Sequence, residues 1–188
     1  MVYRWLFPLL WLAFIAFWIA MARGGKAVAE RESVYSRLSH YVPLAIAIYL
    51  LAAPHVPLAP LQDRFTPLAL WPVRLGAALT FAGIAFAIWA RVWIAGNWSS
   101  DVTLKRDHEL IVDGPYALVR HPIYTGILLA LAGTALAVGE WRGVLAVVLA
   151  GAAYWRKLTI EEVVMRRQFG EAYARYAEGV PALIPYLS

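Results

Sequence analysis

The chain has 188 residues and no cysteine. Disulfides, thiolate nucleophiles and cysteine-based metal sites are therefore excluded, and the redox compartment leaves no mark on the composition. Charge is also scarce: 15% of residues are Asp, Glu, Lys or Arg, against about a quarter in soluble domains. Four histidines are present. His108 and His121 match no familiar metal-ligand spacing and have no third histidine nearby, so no metal site is expected. No Ser/His/Asp or Cys/His set stands out. What the chain has in abundance is apolar surface. It is 62% hydrophobic, with nine Trp and ten Tyr, and its mean hydropathy is +0.61. That composition describes an integral membrane protein with aromatic residues at the membrane–water boundaries. The net charge of +5 does not form a phosphate-binding stripe. The basic residues sit in short segments between apolar runs, so nucleic acid is not an expected partner.

Five apolar segments can be drawn, predicting an all-α integral membrane fold with about five transmembrane helices. Trp5 to Met21 is the first, with no clear cleavage site after it, which predicts a retained anchor. His40 to Ala53 is the second, closed by Pro54, Pro57 and Pro60. Trp71 to Ala95 is the third and spans about 36 Å as a helix. Ile123 to Val138 is the fourth. Val144 to Trp155 opens the fifth, which continues as a polar helix to about Phe169. The last two are joined by Gly139-Glu140-Trp141-Arg142-Gly143, the spacing of a helical hairpin. With the N-terminus outside, the inner side receives Arg23, Lys26, Arg31, Arg37, Arg91, Lys105, Arg106, Arg120, Arg156, Lys157, Arg166, Arg167 and Arg175. The outer side keeps Arg4, Arg64, Arg74 and Arg142. This asymmetry predicts a cytoplasmic C-terminus. The whole chain reads as one domain, residues 1–100 supplying N-terminal helices and 101–188 a polar loop, the hairpin and a tail. Its short, Ala/Leu/Arg-rich make-up suggests a prokaryotic inner membrane.

One polar segment interrupts this pattern. His108 to Gly126 carries two histidines, two prolines, two tyrosines and acidic residues between two apolar blocks. Asp113-Gly114-Pro115 is a turn signal. Pro122 is well placed as the first residue of a helix, whose amide-rich, positive end would favour a carboxylate or phosphate. A well-capped helix start explains the same residues without a ligand. Tyr116 and Tyr124 taken singly are ordinary interface aromatics. A second polar group, Arg156-Lys157-Leu158-Thr159-Ile160-Glu161-Glu162, leaves the fifth helix on the same predicted side. Lys157 and Glu161 are four apart and share a helix face, either as an intrahelical pair or as a cation and a carboxylate facing a cavity near the bilayer surface. Beyond them, Phe169-Gly170, Tyr173, Tyr176, Val180-Pro181 and Ile184-Pro185 form a short amphipathic stretch and a proline-locked tail, able to lie along the interface as a lid.

The ordered pair H-E-L-I-x-x-G-P-Y-x-x-x-R-H-P-x-Y-x-G, from His108, and E-E-x-x-x-x-x-x-F-G-x-x-Y-x-x-Y-x-x-x-V-P-x-x-I-P, from Glu161, resembles the isoprenylcysteine carboxyl methyltransferase family and its wider phospholipid methyltransferase relatives. The likeness runs from His108 to Pro185. It implies S-adenosylmethionine as methyl donor, with S-adenosylhomocysteine as product, bound between loop and tail. By motif position the cofactor site would comprise His108, Glu109, Leu110, Ile111, Tyr116, His121, Pro122, Ile123, Tyr124 and Glu161. Asp101 stands where the family has a glutamine. A basic residue four before Glu161, usually arginine, is implied to meet the substrate carboxylate. Here it is Lys157, with Arg156 beside it, so charge is supplied without the bidentate fork. The implied partners are membrane lipids and a lipophilic or prenylated substrate. A carboxylate acceptor is already ionised at neutral pH and needs no general base. An amine acceptor, as in a phospholipid head group, would need a proton acceptor, for which Glu162 and His121 are the candidates. Two other readings stay open: a nicotinamide-dependent sterol-reductase-like enzyme, which shares an R-H-P-x-Y loop, and a non-catalytic lipid-binding protein.

Overall fold

A computed structural model describes residues 3–21, 33–94 and 110–185. Among these the chain is all-helical: α1 (Tyr3–Met21), α2 (Val34–Ala52), α3 (Ala59–Gln62), α4 (Leu70–Ile94), α5 (Pro122–Val138), α6 (Trp141–Phe169) and α7 (Glu171–Gly179), with a 3₁₀ turn at Gly114–Ala117. Two of these helices, α4 and α6, are long and apolar enough to cross a membrane, and Trp5–Met21 and α5 are shorter apolar helices. Helix boundaries follow the apolar segments closely except at α2, which begins at Val34 and not at His40. The extra turns mix Val34, Tyr35 and Leu38 with Ser36, Arg37 and Ser39, so hydropathy does not mark them. They are started by Ser33, whose side chain accepts a hydrogen bond from the Ser36 amide at 3.2 Å, the usual use of serine at a helix N-cap.

The tightest junction is the antiparallel pair α4–α5. Gly76 faces Gly133 and Gly83 faces Gly126, seven residues apart on each helix. A Cβ on Gly83 would lie 2.4 Å from the Gly126 carbonyl oxygen, so the two backbones meet where any side chain would hold them apart. Small residues allow this kind of close helix approach in membranes. Between the glycine pairs, the Thr80 hydroxyl donates to the Ala130 carbonyl at 3.1 Å and sits 3.2 Å from the Thr134 hydroxyl. Trp11 of α1 donates its indole N–H to Thr134 at 3.1 Å. Three helices are thus tied at one buried polar point. Around it the core is apolar: Phe14, Ile84, Ala87 and Ala130 on one side, and Ala47, Leu50, Val56, Leu131, Ala146 and Ala150 between α2, α5 and α6 on the other. The outward faces are also apolar, with Leu9, Phe81 and Val148 each more than 60% exposed. An exposed apolar girdle of that kind suits a hydrocarbon surrounding better than water.

The α5–α6 hairpin turns at Gly139, whose φ of +70° is left-handed and would be strained for a side-chain-bearing residue. The turn docks on the segment before α4: the Phe65 amide donates to Gly139 and the Trp141 amide to Asp63. Buried Arg142 completes this end. Its Nε contacts Glu140 at 2.6 Å and its Nη1 reaches the carbonyls of Leu50 and Ala53 at the end of α2. Cation donors at a helix C-terminus satisfy carbonyls that have no partner within the helix. At the opposite end Ala90, Tyr116 and Ile123 form a small core that sets the start of α5 beside the end of α4. There α6 runs on into its polar half, which α7 joins through Tyr173, 2% exposed.

Candidate functional site

Pro122 is the first residue of α5 and His121 its N-cap. The missing N–H of proline costs nothing at that position, and its fixed φ starts the helix. Side chains at 120, 121 and 124 therefore leave the start of α5 together and meet Lys157, Glu161 and Glu162 of α6. Arg120 donates through Nε and Nη2 to one oxygen of Glu162, at 2.9 and 2.7 Å. The His121 ring lies between both carboxylates, with Nε2 3.3 Å from Glu162 and Nδ1 3.5 Å from Glu161. The Tyr124 hydroxyl donates to the other oxygen of Glu161 at 2.5 Å. Burial alone would lower the pKa of His121, but the contacts with Glu161 and Glu162 outweigh it and raise the value above that of a free imidazole. An imidazole flanked by two carboxylates favours its charged form.

Aromatic stacking fixes the same side chains. His121 and Tyr124 are parallel within 4° at 5.6 Å, and Tyr124 stacks on Tyr154 of α6 at 4.7 Å. The Lys157 ammonium lies 5.6 Å from the centre of the Tyr124 ring. Tyr154, Lys157 and Glu161 follow at spacings of three and four, so one face of α6 presents all three. The arrangement offers a fixed carboxylate, aromatic faces and a cation within one cluster, a setting suited to binding a cationic or zwitterionic ligand.

The tail closes this cluster from the far side. The amides of Arg120 and His121 donate to the carbonyls of Pro181 and Ala182, at 2.9 and 3.0 Å. The Thr125 hydroxyl donates to the Leu183 carbonyl at 2.6 Å. Arg120 Nη1 donates to the carbonyls of Ala177 and Val180, and the Tyr176 hydroxyl to that of Tyr116. The chain's own tail thus takes up the two amides just before α5.

The residues expected to form the site divide into groups. His121, Tyr124, Lys157 and Glu161 come together. Tyr116, Pro122 and Ile123 are buried behind them, and Ile111 packs on the same small core while Leu110 is half-buried. Arg156 turns away: its Nε donates to Ser39 of α2. Because 156 and 157 are adjacent on a helix, only one of them can face Tyr124. His108, Glu109 and Asp101 lie outside the described residues. The sequence reading gave Arg120 and Tyr154 no role at the site and saw Glu162 only as a proton acceptor. Arg120 lies inside the quoted motif, but nothing in one sequence pairs it with a carboxylate 42 positions on. Tyr154 sits among apolar residues, and only its place three residues before Lys157 marks it.

Comparison with known proteins gives this geometry a context. The chain is 35% identical over 104 residues to a protein-S-isoprenylcysteine O-methyltransferase of Schizosaccharomyces pombe, covering 52% of this chain and 43% of that protein. It is 24% identical over 131 residues to a protein-S-isoprenylcysteine O-methyltransferase B of Arabidopsis thaliana, covering 63% and 61%. A cobalt-zinc-cadmium resistance protein of Cupriavidus metallidurans is 32% identical over 120 residues, covering 63% and 53%. The chain thus spans about half the length of the curated relatives it matches. The model of the phospholipid methyltransferase family matches residues 71–172, from the start of α4 to the start of α7 and so across both halves of the cluster; the chain belongs to that family.

Proposed function

We propose that this protein is an integral membrane S-adenosylmethionine-dependent methyltransferase acting on the carboxylate of a lipophilic, isoprenylcysteine-like acceptor. The observation that carries the reading is the meeting of Lys157 and Glu161 with His121 and Tyr124, which joins the two family-like motifs into one cluster. Its residues fit the cofactor chemically. Glu161 and the Tyr124–Tyr154 faces suit a positive charge, while Lys157 suits a carboxylate. Tyr116, Leu110, Ile111 and the His121–Tyr124 segment would line the rest of the site, with His108 and Glu109 beside them by motif position. When bound, the cofactor supplies a sulfonium methyl that passes to an ionised oxygen, the C–S electron pair staying on sulfur.

The chain's own residues then have to bind, orient and exclude water. His121 and Tyr124 hold Glu161. Lys157 holds the acceptor's carboxylate as a point charge. The tail across Arg120, His121 and Thr125 screens the cluster. An amine acceptor is less well served, because Glu162 is already engaged by Arg120 and His121 and is a poor proton acceptor. We place five spans in the bilayer, the N-terminus outside and this cluster on the cytoplasmic side, which agrees with the Lys/Arg asymmetry. The cofactor would then enter from water and the acceptor's tail from the bilayer.

The test is label transfer from radiolabelled S-adenosylmethionine to a farnesylcysteine analogue and, separately, to native lipid extract, with NADPH binding as the control for reductase chemistry. Label on the carboxyl of the analogue supports the reading. Label confined to phospholipid amines, or no binding of S-adenosylmethionine to the folded protein, overturns it.

A further inference from the structure

Glu162 and Glu161 are neutralised differently. Glu162 is held by the Arg120 fork and by His121. Glu161 shares His121, at 3.5 Å, and takes a neutral hydroxyl from Tyr124. The cation added on its side is Lys157, one turn earlier on α6, whose charge acts on Glu161. The same ammonium lies over the ring of Tyr124, the residue whose hydroxyl holds Glu161. An aromatic face combined with a carboxylate is how proteins bind soft cations. In this structure the chain's own lysine occupies that place.

The mobility of the parts is unequal. Tyr124 is stacked between His121 and Tyr154, and Glu161 is held by two partners. Lys157 carries its charge at the end of a four-carbon stem and is half-buried, so its ammonium can be displaced by side-chain torsions without moving α6. Two unit positive charges about 5 Å apart repel enough to change an equilibrium several-fold even in a high-dielectric setting. A ligand with a positive sulfur and its neutral thioether counterpart should therefore be received differently for as long as Lys157 stays.

We propose that Lys157 is a resident cation at a positive-charge subsite formed by the Tyr124 ring and Glu161, and that its departure couples occupation of this subsite to capture of the acceptor's carboxylate. The inference rests on the cofactor assignment above and adds an order to it. Lys157 vacates Tyr124 when a positively charged ligand is present, and the freed ammonium is then available to the acceptor. A neutral ligand of the same shape leaves Lys157 in place.

The test uses the full chain in detergent. Calorimetry gives Kd for S-adenosylmethionine and S-adenosylhomocysteine in the parent, Lys157→Met and Lys157→Arg. Lys157→Met is expected to tighten S-adenosylmethionine at least threefold and leave S-adenosylhomocysteine unchanged, the latter also showing that the variant is folded. Lys157→Arg is expected to keep the parent ratio. A second measurement needs no variant. The chain has three lysines, Lys26, Lys105 and Lys157, so reductive 13C-dimethylation yields only four NMR signals, those of the three lysines and of the N-terminal amine. The Lys157 signal should be shifted by the Tyr124 ring current, lose that shift with S-adenosylmethionine and keep it with S-adenosylhomocysteine. Equal effects of the two ligands, in either experiment, overturn the resident-cation role while leaving the cofactor assignment standing. Failure of the parent to bind either ligand overturns both.

Discussion

Replacing Arg120 with Met removes the side chain that joins the start of α5, α6 and the tail. Its guanidinium makes two hydrogen bonds to Glu162 and two to the carbonyls of Ala177 and Val180. The Arg120 and Glu162 side chains are 12% and 14% exposed. Removing one partner of a buried ion pair costs about 3–5 kcal/mol, because the other charge is left without compensation. Here His121 remains near Glu162 and the pair is not fully dry, so the low end, about 3 kcal/mol, applies. For a chain of this length that corresponds to a fall in Tm of about 6–12 °C. Thermal melting in detergent reads the loss. Hydrogen exchange reads its location: the Arg120 and His121 amides, which donate to Pro181 and Ala182, should lose protection first. Lys at 120 should recover less than half, since an ammonium cannot form the fork. The double variant Arg120→Met/Glu162→Leu should regain much of the loss, because no buried charge is left over. A fall below about 2 °C, or a double variant no better than Arg120→Met, would refute the reasoning that an uncompensated Glu162 carries the cost.

Two further outcomes follow from the geometry. The pKa of His121 is raised, so the stability its charged form contributes is fully present below the ordinary imidazole value and is lost as pH rises through the raised value. A 13C-histidine NMR titration should give a midpoint above that of free imidazole, falling in Glu162→Gln; a midpoint at or below it contradicts the two-carboxylate setting. Gly83→Ala should destabilise the α4–α5 junction by about 1–3 kcal/mol through overpacking, since its Cβ would meet backbone at 2.4 Å. Gly151→Ala on α6, with nothing within 4 Å of the new Cβ, should be neutral or stabilise by up to about 1 kcal/mol through helix propensity. Equal melting shifts for the two variants would show that the α4–α5 backbones are not so close.

The sequence alone determined the helical class, the apolar segments and the polar loop between two of them. Hydropathy and proline placement are local properties: Pro122 begins α5 whatever surrounds it, and Gly139 turns the hairpin by its backbone freedom. The pairing of loop and tail motifs was also readable, because the Lys/Arg distribution put both on one side and the two motifs in order resemble one family. Two matters were decided only by tertiary structure. Of the adjacent cations 156 and 157, helix rotation sends one to Ser39 and the other to Tyr124. Arg120 became the tie between Glu162 and the tail only through contacts reaching 42 to 60 positions along the chain. Spacing along a helix states which side chains share a face. Which face meets which partner is set by how the helices pack, and here the glycine-lined approach of α4 to α5 and the hairpin to α6 bring His121, Tyr124, Lys157 and Glu161 into one cluster.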